Sequence, residues 1–184
     1  MNILLIGGAR SGKSSFAQEL ASRHGEPVLF VATATAGDEE MRQRIEAHQR
    51  ARPRHWITLE ATTHTGSRIR QEIGEARVVI VDCITLLVSN IFSQHMCQGE
   101  QVDAPLIEKE VTSEIRDLVE CIRQVSASFI VVTNEAGTGI VPADKVSRLY
   151  RDLLGKANQM LADCADEVYL MVAGIPVRIK PAKL

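Results

Sequence analysis

The sequence predicts an α/β fold in three layers, with a mostly parallel sheet and an antiparallel hairpin at its C-terminal end. Three observations carry this. Apolar runs of strand length alternate with stretches of helical spacing along the 184-residue chain. The run Val78-Val79-Ile80-Val81 is apolar at every residue, as in a strand covered on both faces. Two final runs, 167–172 and 176–179, are separated by Ala173, Gly174 and Ile175, the pattern of a closing hairpin.

Met1 to Ile6 forms the first strand-length run, and Phe16, Ala17, Leu20 and Ala21 recur at helical spacing soon after. Between them lies Gly7-Gly8-Ala9-Arg10-Ser11-Gly12-Lys13-Ser14, which matches G-x-x-x-x-G-K-S/T. Strand, glycine loop and helix form the setting in which this pattern is a phosphate site. Gly7 and Gly12 permit backbone angles that let successive N–H groups point into one concavity. Those donors and the positive end of the following helix hold an anion. Lys13 adds a charge for the outer phosphates, and the Ser14 hydroxyl suits a Mg²⁺ ion bridging them. The chain is therefore predicted to bind a nucleoside triphosphate in one P-loop NTPase domain of the RecA-like kind, spanning residues 1–184.

The remaining elements follow in order. Pro27 to Ala32 reads as a second strand, with the polar loop Thr33-Ala34-Thr35-Ala36-Gly37 at its carboxyl end, where α/β sheets collect ligands. Asp38, Glu39 and Glu40 open a helix through Met41, Arg44, Ile45 and His48, and Pro53 ends it. A polar, turn-like region then leads to a helix near residues 66–73. After the Val78–Val81 strand and Asp82, a helix is expected over 83–92 and a polar surface excursion over 93–105. An amphipathic helix over 106–123 turns Ile107, Val111, Ile115, Leu118, Val119 and Ile122 inward. Residues 128–133 form the next buried strand, opening into Asn134-Glu135-Ala136-Gly137-Thr138-Gly139-Ile140-Val141-Pro142. A long helix over 144–165 completes the set, with Val146, Leu149, Leu153, Leu154, Ala157 and Leu161 inward.

Composition narrows the function classes. A net charge of −2, with 24% charged residues, supplies no basic field for nucleic acid or anionic membrane. Aromatic content of 4% offers no stacking platform for bases. No apolar run nears the roughly 20 residues of a membrane span, and no charged leader precedes the first strand, so a cytoplasmic protein is expected. The four cysteines lie far apart without a C-x-x-C pair, which argues for reduced thiols and against a zinc site.

Asp82 ends a buried strand beside the glycine loop, where a carboxylate can hold Mg²⁺ or orient a nucleophile. Its alternative role is to cap the next helix. His48 lies one turn from Arg44, with Arg50, Arg52 and Arg54 crowding the helix end. A histidine among guanidinium groups has the equipment to attack phosphorus. From these residues alone, a solvated helix face is the simpler reading. Trp56, the only tryptophan, is more commonly a core or interface anchor than a ligand stack.

These motifs, taken together, resemble a known family. The glycine loop, Arg44-Ile45 followed by His48, Arg52-Pro53, His55-Trp56, Asp82-Cys83-Ile84-Thr85 and the Asn134–Pro142 loop are similar to the bifunctional adenosylcobinamide kinase/adenosylcobinamide-phosphate guanylyltransferase family of cobalamin synthesis. So are Arg151-Asp152, Asn158-Gln159 and the tail containing Gly174. The resemblance implies that ATP or GTP phosphorylates adenosylcobinamide, and that GTP then donates GMP to adenosylcobinamide phosphate. It makes His48 the guanylylated nucleophile; some members carry two adjacent histidines here, whereas this chain has Ala47 then His48. It places nucleotide contacts on Gly7 to Ser14, on Thr33, Ala34 and Thr35, on Gln49, Arg50, Ala51 and Arg52, and on Glu60 and Asp82. It also implies a homotrimer, with the exposed helices and Trp56 near a subunit contact.

The two reactions occur at different phosphorus atoms, γ for the kinase and α for the transferase. One site serves both only if the nucleotide shifts or the His48 helix moves, and a mobile helix is the expectation. A plain small-molecule kinase would explain the glycine loop and Asp82 but leave His48 idle. A GTPase-like switch lacks its N-K-x-D run, since Thr133-Asn134-Glu135 has no lysine.

Overall fold

The computed structural model describes residues 1–96 and 102–180. The elements are β1 (Asn2–Gly7), α1 (Lys13–His24), β2 (Val28–Ala32), α2 (Glu39–Ala51), β3 (Ile57–Glu60), α3 (Thr65–Glu72), β4 (Val78–Asp82), α4 (Ile84–His95), α5 (Ala104–Gln124), β5 (Ser128–Asn134), α6 (Lys145–Cys164), β6 (Glu167–Val172) and β7 (Ile175–Lys180). The strands form one sheet in the order β3-β2-β4-β5-β1-β6-β7. Strands β1 to β6 pair in parallel, and β7 returns antiparallel to β6.

The every-residue apolar runs follow from two covered faces. Leu4, Leu29, Val31, Val79, Val81, Phe129 and Val131 face the helices α3 to α6. Their neighbours Ile3, Leu5, Val28, Phe30, Val78, Ile80, Ile130 and Val132 face α1. Alternation along each strand thus sends successive side chains into two different cores, leaving no polar face to reveal a period of two. The expected inward stripe of α5 is buried, and so are Leu153, Leu154, Ala157 and Leu161 of α6.

Strand β3 departs from the sequence reading, which gave this stretch to a polar turn. It is a four-residue edge strand with only Leu59 buried, so it lacks an apolar run; its parallel pairing with β2 defines it. The hairpin turn is tighter than expected: Ile175 already belongs to β7, and Ala173 and Gly174 alone make the turn, at φ 50° and 83°. Of the polar segment expected at 93–105, residues 93–95 extend α4 and 104–105 begin α5, while 97–101 lie outside the described residues, Cys97 with them. The three described cysteines are free thiols.

Trp56 is 6% exposed and packs with Val28 and Phe30 in the core on the α1 side. It is therefore a core anchor and offers no surface to a subunit contact. Helix α2 contrasts with every other long helix. Asp38 caps it, accepting from the Met41 N–H at 2.7 Å, and Arg42 pairs with Glu39 and Glu46 along its exposed side. Yet none of its described side chains is buried. Local capping and i,i+4 pairs maintain the helix, while little apolar area attaches it to the body.

Candidate active site

The carboxyl ends of the six parallel strands share one edge of the sheet, and the phosphate loop lies among them. Gly12 caps α1 with φ 94°, a left-handed conformation that a side chain disfavours. A Cβ at Gly12 would also sit 3.1 Å from Gly174 Cα, and one at Gly7 would sit 2.5 Å from the Met171 carbonyl oxygen. The β6–β7 turn thus braces the loop from outside, and the Gly174 N–H donates to the Ser11 carbonyl at 3.0 Å. Gly12→Ala is expected to lower thermal stability by about 1–2 kcal/mol through backbone strain, read as a fall in Tm. It should weaken nucleotide binding more than that loss of stability alone explains.

Lys13 is buried and turned onto its own loop. Its Nζ donates to the carbonyls of Gly7 at 3.0 Å and Gly8 at 2.6 Å, and to Ser11 Oγ at 3.4 Å. Burial pulls its pKa down, opposed by the thiol of Cys83 and the carboxylate of Asp82. The loop carbonyls thus hold the ammonium within the glycine loop itself.

Asp82 closes β4 next to this lysine. Burial raises its carboxyl pKa, while a hydrogen bond from Ser14 and the charges of His48, Arg52 and Lys13 pull it back. The sign of the linkage follows. Between the ordinary carboxylate pKa and the raised one, the folded state binds more protons than the unfolded chain, so stability falls as pH rises through that window. Asp82→Asn, which keeps an acceptor for Ser14, is therefore expected to raise Tm at pH 7. The gain should vanish as pH falls below the ordinary carboxylate range, and a pH series of melting curves reads it. Beside Asp82, burial pushes the Cys83 thiol up to about 11, so it stays protonated at neutral pH and is no thiolate nucleophile.

The other expected residues gather around the same edge. Thr33 is fully buried, and its hydroxyl donates to the Cys83 carbonyl at 2.7 Å and accepts from the Cys83 N–H at 2.8 Å, fastening β2 to β4. Thr35 is exposed, and its hydroxyl lies 3.3 Å from Asn90 Oδ1. Glu60 closes β3 opposite Ala32, exposed, with a charge that acts on Arg52. Ala9 and Arg10 form the exposed tip of the phosphate loop, with Arg10 at φ 58°.

His48 stands exposed on α2 within electrostatic reach of Asp82. Arg52, just past the helix, stacks its guanidinium carbon 3.4 Å from the centroid of Phe30 and donates to Thr58 Oγ1 at 3.0 Å. Its Nε is buried without a partner among the described residues. Arg50 pairs with Glu46 at 3.0 Å. Glu46, Gln49, Arg50, Arg52 and Arg54 together line an open cavity of about 430 Å³, of the size small-molecule sites occupy. Its three guanidinium groups outnumber its one carboxylate, so the hollow suits an anion.

Three side chains that shape this edge were missing from the sequence reading as site residues. Asn90 donates to the carbonyls of Thr33 at 2.8 Å and Thr62 at 3.0 Å. Asn158 accepts from the Thr133 hydroxyl at 2.7 Å and donates to the Asn134 carbonyl at 3.0 Å. Tyr150 donates to the Thr85 carbonyl at 2.8 Å, and the Thr85 hydroxyl accepts from the Asn134 N–H at 2.9 Å. A polar residue within the inward stripe of α6, as Asn158 is, was the available signal. Among the described residues, no group of three or more His, Cys, Asp or Glu could hold a metal ion. No helix is long and apolar enough to cross a membrane among them either.

Known proteins match this arrangement at two levels. The structure is similar to the RadB recombinase, with a TM-score of 0.50, 16% identity, and coverage of 92% of this chain and 73% of that one. It is also similar to a prototypical ATPase from the type III secretion system of pathogenic bacteria, with a TM-score of 0.54, 11% identity, and coverage of 92% and 50%. At such identities the likeness shows the fold alone. In sequence, the chain is 40% identical over 182 residues to the bifunctional adenosylcobalamin biosynthesis protein CobU of Escherichia coli (strain K12), covering 98% of this chain and 100% of the relative. It is 38% identical to the bifunctional adenosylcobalamin biosynthesis protein CobP of Pseudomonas aeruginosa, covering 98% of each. The family model described as cobinamide kinase / cobinamide phosphate guanyltransferase matches residues 3–179, and the chain belongs to that family.

Proposed function

We propose that this chain phosphorylates adenosylcobinamide with ATP or GTP and then transfers GMP from GTP, by way of His48, to give adenosylcobinamide-GDP. The observation that carries the reading is an exposed histidine within electrostatic reach of Asp82, itself hydrogen-bonded to Ser14, on a helix with no buried side chain among those described. A plain kinase has no use for that imidazole.

In the first reaction the acceptor hydroxyl oxygen attacks the γ-phosphorus, the bond to the β-phosphate oxygen breaks, and the nucleoside diphosphate leaves. Lys13 and the loop N–H groups neutralise charge on the transferred group. Asp82, its pKa raised by burial, is suited to receive the hydroxyl proton. Ser14 and Asp82 offer the hard oxygen donors that Mg²⁺ prefers, and their hydrogen bond brings them together. A bound magnesium ion there would supply positive charge against the phosphate oxygens.

In the second reaction a ring nitrogen of His48 attacks the α-phosphorus and pyrophosphate leaves. A phosphate oxygen of the corrinoid acceptor then attacks the same phosphorus and breaks the P–N bond. The covalent step divides a difficult displacement between two anions into two in-line displacements. Arg50, Arg52 and Gln49, with the cavity they line, are the groups placed to meet the nucleotide's negative charge. The two target phosphorus atoms require His48 to approach or withdraw, and the lightly attached α2 supplies a helix able to do so. A homotrimer accords with the family reading and is measured by sedimentation.

The test is incubation with GTP labelled at the α- or the γ-phosphate. Acid-labile protein label from the α-labelled nucleotide only, absent in His48→Ala, is the expected result. Label from neither nucleotide in the wild type would leave a simple kinase.

A further inference from the structure

The Asn134–Pro142 segment has no part in the chemistry above, although it leaves β5 directly beside the phosphate loop. Its tip is the most exposed large apolar group among the described residues: Ile140 is 97% exposed and Val141 60%. Exposed apolar side chains on a loose loop need no explanation, but this loop is anchored at both ends. At the start, the Glu135 N–H donates to the Gly7 carbonyl at 3.1 Å, and the Glu135 carboxylate accepts from the Gly137 N–H at 2.5 Å. At the finish, Arg148 donates to the carbonyls of Pro142 at 2.7 Å and Ala143 at 2.6 Å. Asn158, itself buried, holds the Asn134 carbonyl at 3.0 Å. Both ends of the loop are thus held at the carboxyl edge of the sheet, and between them it carries two branched aliphatic side chains exposed to solvent.

We propose that Ile140 and Val141 form the apolar rest for the corrin ring of the acceptor. The inference builds on the functional reading above and assigns to that site the surface that selects its acceptor. Three considerations single out this occupant. The acceptor hydroxyl must reach the γ-phosphate over the phosphate loop, so the bulk of the acceptor has to lie at the rim. On the β2–β3 side the rim is taken by α2 and its arginines, whose charge suits a nucleotide and not a macrocycle. On the β5 side the exposed Ile140 and Val141 are apolar, and a corrin ring presents methyl-bearing edges that gain by leaving water. The strand order places β5 between β4, which ends in Asp82, and β1, which leads into the phosphate loop, so the loop that leaves β5 starts between those two groups.

The experiment compares the wild type, the double variant Ile140→Ser/Val141→Ser, Ile140→Leu, and Ile179→Ser on the outer strand β7 as a control. Each is assayed for the cobinamide KM in the kinase step and for the amount of GMP bound in the absence of corrinoid. The double variant is expected to raise the cobinamide KM on the order of tenfold or more, the loss from two aliphatic contacts. Its guanylylation should match the wild type, and the leucine and Ile179 variants should keep the wild-type KM. An unchanged KM in the double variant overturns the proposal. Parallel loss of guanylylation also overturns it, because the loop would then be shaping the nucleotide site. So does a change in sedimentation, which would make the tip a contact with a second copy of the chain. If the wild type itself fails to phosphorylate cobinamide, the functional reading falls, and that failure is visible before any variant is compared.

Discussion

Replacing Lys13 by Ala is expected to remove both reactions, with kcat/KM for kinase and guanylylation falling by about 10³-fold or more. The ammonium is the one buried cation among the described residues of the phosphate loop, and its three contacts are all with the loop itself. Those contacts cost the variant some structure as well as charge, since the Gly7 and Gly8 carbonyls each lose one donor and keep the N–H of Glu135 and of Ser11 respectively. Lys13→Arg separates the two effects. It keeps the positive charge but brings a planar fork into a space closed by Gly7, Gly8 and Ser11. Loss of activity in Lys13→Arg with an unchanged Tm assigns the effect to the shape of the phosphate contact. Retained activity in Lys13→Ala, measured with either nucleotide, contradicts the role given to the loop.

His48→Ala is expected to divide the two activities. Transfer of GMP should fall by at least about 10³-fold, because no other group takes over as nucleophile. The kinase step should persist, slowed by less than tenfold, on the order of what loss of a neighbouring polar contact costs. His48 is exposed, so stability should change by no more than about 0.5 kcal/mol, read as a nearly unchanged Tm. Steady-state assays with cobinamide and with cobinamide phosphate, run in parallel, read the division. Equal loss of both steps would make His48 a part of the phosphate loop's machinery and not a separate nucleophile.

How much of this was legible in the sequence depended on how local the cause was. The strand–glycine loop–helix unit at the start was, because its glycines and lysine fall within eight successive residues. The parallel sheet was, because strands covered on both faces carry uninterrupted apolar runs, and Val78 to Val81 has no other ready explanation. Strand β3 was not, because an edge strand with one buried residue has no pattern apart from its partner β2. The stacking of Arg52 on Phe30 and the reach of Asn158 to Asn134 join residues 22 and 24 positions apart, and no periodicity reports such pairs. His48 was intermediate. Its helix was evident from the acidic start and Pro53, but the residues read as a solvated face, and the structure does leave that face exposed. In the sequence, resemblance alone gave it a role.

The exposure of α2 also bears on stability and activity together. A helix held by caps and ion pairs of its own, with no buried side chain described, can shift without opening the core. Burial of a carboxylate at Asp82 acts in the same sense: it costs the folded protein stability at neutral pH, and in the proposed reaction it would suit the group to receive a proton. The site is thus the part of the molecule where the folded chain gives up stability, and its neighbours in both cores hold it in place.

Peptide mapping by mass spectrometry after exposure to GTP tests the central claim most directly. The account predicts one GMP attached through phosphorus to the peptide containing His48, labile to acid and discharged when cobinamide phosphate or pyrophosphate is added. Unmodified protein at saturating GTP, or GMP found on any other residue, would contradict it.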